Sequence, residues 1–106
     1  MQLADLTNVP RFSPDKMVKA NVFATDRLFY DIYCLEPGQA QKVHSHAGSD
    51  KVYLVLSGRA MVTVGAEQRE LGPQEAVLAA AGEPHGVRND SASRVTLLVV
   101  TTPPPA

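Results

Sequence analysis

From Leu28 onward the chain is cut into short runs of four to eight β-branched, aromatic and aliphatic residues, each closed by Gly, Pro, Asn or Ser. That rhythm is the strongest constraint on the fold, because runs so short cannot form helices with a sustained apolar face. Strands are expected at 28–35, 42–46, 52–56, 60–64, 68–71, 76–79, 85–88 and 94–101. Eight strands without long intervening helices imply an all-β domain, an antiparallel β-barrel or jelly roll, and argue against a βαβ sheet. Glu36-Pro37-Gly38 and Val64-Gly65-Ala66-Glu67 supply turn residues at two reversals. Before Leu28 the pattern is weaker. Ser13-Pro14-Asp15 has a capping residue followed by Pro, enough for one short helical turn. A single domain over 1–106 is expected, with a barrel core at about 28–101, a flanking segment 1–27 and an extended, solvated tail 102–106.

Charge and length narrow the partners. Ten Lys plus Arg against eleven Asp plus Glu leave a net charge of −1, so no basic excess is available for phosphates or anionic lipids. Nucleic acid and membrane are not expected partners. No apolar stretch approaches the ~20 residues of a membrane span, and the opening residues lack the basic start and apolar run of a secretory signal. With 44% hydrophobic and 20% charged residues, the chain reads as a globular domain with a core of its own. Cys34 is the single cysteine, so no internal disulfide can form. A cytoplasmic location is expected.

The chemistry rests on three histidines. His44-Ser45-His46 lies on an expected strand, where residues two apart face the same side with a rise of about 6.6 Å between them. Two imidazoles so placed can converge on one ion, and His85, on another strand, can join them only through the closed fold. Such a set binds a divalent metal through neutral nitrogens and leaves positions open for water or substrate. A His-x-His pair is also compatible with an exposed strand face that binds nothing. By the same alternation Lys42 is expected to face inward.

The spacing around these residues adds a resemblance. Gly38, five residues, His44-Ser45-His46, four residues, Lys51, six residues and Gly58 resemble the first motif of the cupin superfamily: Gly, five residues, His-x-His, three or four residues, Glu, six residues, Gly. The segment 74–89 is similar to the second motif, with Gly82, His85 and Asn89 in register. Gln74 and Ala80 stand where that motif has Gly and Pro, so a locally rearranged turn is expected. The resemblance implies a small single-domain cupin with a double-stranded β-helix fold, holding one divalent metal ion (Fe, Mn, Zn or Ni) through His44, His46 and His85. It also implies inward positions for Lys51, Tyr53 and Val55, and a homodimer paired through strand edges.

Lys51 occupies the place where the family carries its glutamate ligand. A protonated ammonium cannot ligate a metal. Asp50 is a possible additional ligand, though alternation turns it from the histidine face unless the strand is bulged. With three neutral histidines the site resembles the three-His cupin dioxygenases, which implies a small metalloenzyme, dioxygenase-like or isomerase-like, acting on a small polar or anionic compound. Lys51 and Tyr53 are its candidate substrate-binding residues. The alternative is a non-catalytic cupin module that binds a small molecule. Inert packing is expected for Cys34, and a turn role for Asn89.

Overall fold

A computed structural model describes residues 1–105. Nine strands follow a single 3₁₀ turn, Leu6–Asn8, which Asp5 caps through its carboxylate. They are β1 (Val18–Ala24), β2 (Phe29–Leu35), β3 (Ala40–His44), β4 (Asp50–Ser57), β5 (Ala60–Val64), β6 (Glu67–Leu71), β7 (Ala76–Ala79), β8 (His85–Arg88) and β9 (Val95–Thr102). One sheet has the order β1-β2-β9-β4-β7 and the other β3-β8-β5-β6, with every pairing antiparallel. The two sheets pack face to face as a jelly roll and are not hydrogen-bonded into a closed barrel. Among the described residues no helix is long and apolar enough to cross a membrane.

Alternation along the strands builds the core. On β9, Val95, Leu97 and Val99 face inward, and their partners across the sheet include Leu35 and Tyr33 on β2 and Val55 and Tyr53 on β4. The second sheet contributes Ala60, Val62, Leu71 and Val87 to the same cluster.

Three features depart from the expected pattern. Strand β1 lies in the flanking segment, where no strand was expected: Lys19 and Asn21, exposed but on the face that Tyr33 and Asp31 share across the pair, dilute the apolar period. No helical turn forms at Ser13-Pro14-Asp15; the Ser13 hydroxyl instead accepts the Asp15 amide within a bend. The turn at Gln74 is not rearranged, since Gln74 holds φ at 68°, the left-handed conformation suited to the motif's glycine.

The first segment also explains an unexpected burial. Tyr33 and Cys34 are neighbours on β2 and face opposite sides, yet both are buried. Tyr33 enters the core between the sheets, while Cys34 lies on the outer face with the Arg11 backbone against its sulfur. Burial pushes the Cys34 thiol up, which fits inert packing.

Candidate metal centre and pocket

The histidines are aimed by an irregularity in β3. Gln41 pairs with Val87 and His44 with His85, so Lys42 and Val43 together face the single residue Gly86. This is a β-bulge, two residues opposite one, and it reverses the alternation between Gln41 and His44. Lys42 is therefore exposed, contrary to the expected parity, and Gln41 is buried in its place. Gly86 permits the bulge: a Cβ there would lie 2.9 Å from the Gln41 carbonyl oxygen and 3.0 Å from the Val43 backbone. His46 lies beyond the end of β3, in the loop before β4, where its carbonyl accepts the Gly82 amide.

Ligand atoms of His44, His46 and His85 lie within 4.8 Å of one another. The His44 Nδ1 donates to the Lys42 carbonyl at 2.8 Å and the His85 Nδ1 to the Glu83 carbonyl at 2.9 Å. A carbonyl only accepts, so each of these rings carries a proton on Nδ1 and turns Nε2 toward the cluster as the atom that can ligate, the arrangement expected of oriented metal ligands. His85 Nε2 is buried and has no hydrogen-bond partner, alone among buried side-chain nitrogens and oxygens of the described residues. Burial lowers the pKa of His85 and of His46, with the positive charge of Lys51 acting in the same direction, so both imidazoles are neutral near pH 7. A buried orphan nitrogen and a set of three imidazoles fit a divalent metal ion.

Asp50 is not part of this group. It starts β4 with an exposed side chain, and its carboxylate accepts the Ala81 amide at 2.8 Å, away from the imidazoles. The strand is not bulged there, so alternation carries Asp50 outward while Lys51 turns in.

Lys51, Tyr53 and Val55 face inward as expected, with Lys51 only 3% exposed. The Lys51 ammonium sits 5.4 Å from the Tyr33 ring centroid and 5.5 Å from that of Tyr53. Burial lowers its pKa to about 8, helped by repulsion from Lys19 and opposed by Asp31. A cavity of about 260 Å³ beside His46 is lined by Lys19, Phe29, Asp31, Tyr33 and Lys51.

Tyr53 does not line that cavity. It is fully buried, and its hydroxyl donates to the Gln41 side-chain oxygen at 2.7 Å. Gln41 in turn donates to the Tyr33 hydroxyl at 3.2 Å, so the phenol at the cavity wall is Tyr33, held by Gln41 from below. Burial raises the pKa of both phenols, Tyr33 to about 12, which keeps them protonated donors at neutral pH. Lys19, Asp31, Tyr33 and Gln41 were absent from the sequence-derived candidates. Their signal lay in cross-strand register, which single-strand patterns do not carry.

Two other expectations resolve here. Asn89 is buried and structural: its amide donates to the Leu35 and Ser93 carbonyls, and its side-chain oxygen accepts from Ser91. The tail is not fully solvated. The Pro103 carbonyl accepts the Ser49 hydroxyl at 2.6 Å, and Pro105 reaches the cavity wall; Ala106 lies outside the described residues.

Comparison with known proteins agrees with this architecture. An uncharacterized protein of Streptomyces coelicolor is 37% identical over 73 residues, which span 69% of this chain and 68% of the relative. A crystal structure from Thermus thermophilus is 55% identical, with a TM-score of 0.97 over 99% of this chain and 100% of that one. An uncharacterized conserved protein with a double-stranded β-helix domain from Klebsiella pneumoniae shares the fold, at 21% identity and a TM-score of 0.88 over 97% of this chain and 90% of that one. Residues 31–101 match the model of the cupin domain, and the chain belongs to the cupin family.

Proposed function

We propose that this cupin binds one divalent metal ion through His44, His46 and His85 and acts as a small metalloenzyme, dioxygenase-like or isomerase-like, on a small polar or anionic compound. The observation that carries the reading is the unpartnered, buried Nε2 of His85 beside two further imidazoles. Leaving such an atom unsatisfied costs about 1–3 kcal/mol, which a ligated ion offsets. The bound ion supplies Lewis acidity or redox chemistry. The chain's own residues orient the substrate: Lys51 attracts an anionic group, and the Tyr33 hydroxyl stands ready to donate a hydrogen bond at the cavity wall. The protein is proposed to work as a cytoplasmic homodimer, with neither nucleic acid nor membrane as partner.

A non-catalytic binding module is the second reading. It is favoured by the one carboxylate in the cavity wall, Asp31, already accepting from the Asn21 amide at 2.8 Å, which leaves few groups for proton transfer. Substrate depletion with Fe(II)- and Zn(II)-loaded protein separates the two. The enzyme reading expects turnover of a small polar or anionic compound that is lost in His85→Ala; saturable ligand binding without turnover under any metal contradicts it.

A further inference from the structure

A buried ammonium normally lies against a carboxylate, because an unpaired charge removed from water is costly. Lys51 has no carboxylate partner: its stem is buried while its ammonium opens onto the cavity it lines. Among the described residues the ion pairs are Arg59–Glu70, Arg88–Asp90 and Arg94–Glu36, and none involves Lys51, Lys19 or Asp31. Lys51 is 3% exposed, makes no hydrogen bond to another described side chain, and lines the cavity beside His46.

Register explains why a second ammonium reaches the same place. Lys19 on β1 is opposite Tyr33 on β2 and so lies on the same face of the sheet, exposed at the rim of the cavity, with its ammonium 5.4 Å from the Tyr33 ring centroid. Lys51 on β4 is opposite Thr101 on β9, and Thr101 is opposite Phe29 on β2. Alternation across these neighbouring strands thus delivers two ammoniums, one phenol and one phenyl ring to one end of the concave sheet. Lys19 and Lys51 contribute two positive charges and Asp31 one negative, an excess of one. One Asp31 oxygen already accepts from Asn21.

We propose that Lys19 and Lys51 form a carboxylate-binding subsite, so that the molecule held beside the three histidines is a small monocarboxylate with an apolar or aromatic body. In the metal-free protein the single excess charge of the lining matches one carboxylate better than a phosphate dianion, and the lining has no arginine fork for bidentate phosphate recognition. Phe29 and Tyr33 supply apolar contact for the body. A cavity of about 260 Å³ has room for a small acid. The inference deepens the metalloenzyme reading and rests on it for the direction in which the rest of the ligand extends, toward His46.

Amide and side-chain chemical-shift titrations of the metal-free protein test it, with sodium benzoate, benzamide and inorganic phosphate as probes. Benzoate is expected to bind saturably and to perturb Lys19, Phe29, Tyr33 and Lys51, with benzamide at least tenfold weaker and phosphate also weaker. Lys19→Met and Lys51→Met should each weaken benzoate at least tenfold. Asp31→Asn should strengthen it severalfold, a gain that a misfolded variant would not show. Absence of saturable benzoate binding, equal affinity for benzamide, tighter binding of phosphate, or unchanged affinity in Lys51→Met overturns the proposal. Metal titrations on the same samples keep the two readings apart. Failure of wild type to take up metal contradicts the metal centre and leaves a measured carboxylate subsite standing, whereas metal uptake without benzoate selectivity contradicts the subsite alone.

Discussion

Lys51 shows how one residue couples stability to the site. Its pKa falls to about 8 in the folded chain against an ordinary value of 10.5, so between these pH values the unfolded chain binds more protons and stability rises with pH. Below about pH 8 both states are protonated and the folded state carries the full cost of the buried charge. From about pH 9 the rise is opposed, because the Cys34 thiol and then Tyr33 and Tyr53 resist ionisation when folded and ionise freely when unfolded. Urea unfolding of the metal-free protein should therefore show a gain from pH 7.5 to 9.5, and Lys51→Met should remove that gain while raising stability at pH 7 by on the order of 2 kcal/mol. A variant that is less stable at pH 7 would contradict the account. Lys51→Glu makes a second test at the same position. It exchanges an ammonium near the imidazoles for a carboxylate at the place the motif resemblance assigns to a ligand, and metal affinity should rise at least tenfold, about 1.4 kcal/mol. Calorimetric titration giving an unchanged or weaker dissociation constant would show that position 51 does not address the metal. The inward direction of Lys51, Tyr53 and Val55 was legible from the motif resemblance, and it holds because β4 alternates without interruption up to Val55, before its register shifts at Leu56. The roles of Tyr33 and Gln41 were not, because they depend on hydrogen bonds between strands distant in sequence.

Among the elements, the β3 bulge matters most, since it turns His44 inward and holds Lys42 out. Gly86→Ala would push a methyl group to 2.9 Å from the Gln41 carbonyl oxygen. The bulge must then open, at a cost on the order of 2 kcal/mol, and metal affinity should fall at least tenfold although no ligand has been touched. Thermal unfolding and metal titration of the variant check both effects together; a folded variant with native metal affinity would show that the bulge does not aim the site. Strand existence was mostly legible, because β5, β7 and β9 are nearly continuous β-branched and aliphatic runs and β4 carries one from Val52 to Leu56. The bulge was not, because it depends on a glycine across the strand pair. Strand β1 escaped for a related reason: Lys19 and Asn21, exposed opposite Tyr33 and Asp31, put polar residues in the half of the alternation expected to be apolar.

At the scale of the whole molecule, two sheets that do not close leave β1, β7, β3 and β6 as edges. Leu78 on β7 and Val43 on β3 are 60% and 54% exposed, large apolar side chains on strands at two of these edges. Edge pairing between two copies would cover such strands, and sedimentation at micromolar concentration should give a dimer mass. A monomer mass would remove the homodimer from the account. The jelly roll as a whole was legible from strand number and spacing, whereas the folding of Pro103 and Pro105 back toward the site was not, since a proline run carries no apolar period. The central claim, that this scaffold assembles three imidazoles into a metal centre, is tested most directly by the metal content of protein purified without an affinity tag, compared with His44→Ala, His46→Ala and His85→Ala. Because the core is built by apolar strands and not by the ion, each variant should keep a folded β-rich spectrum. Wild type should bind one equivalent of divalent metal and each variant should lose stoichiometric uptake, whereas equimolar metal retained in all three variants would contradict the claim.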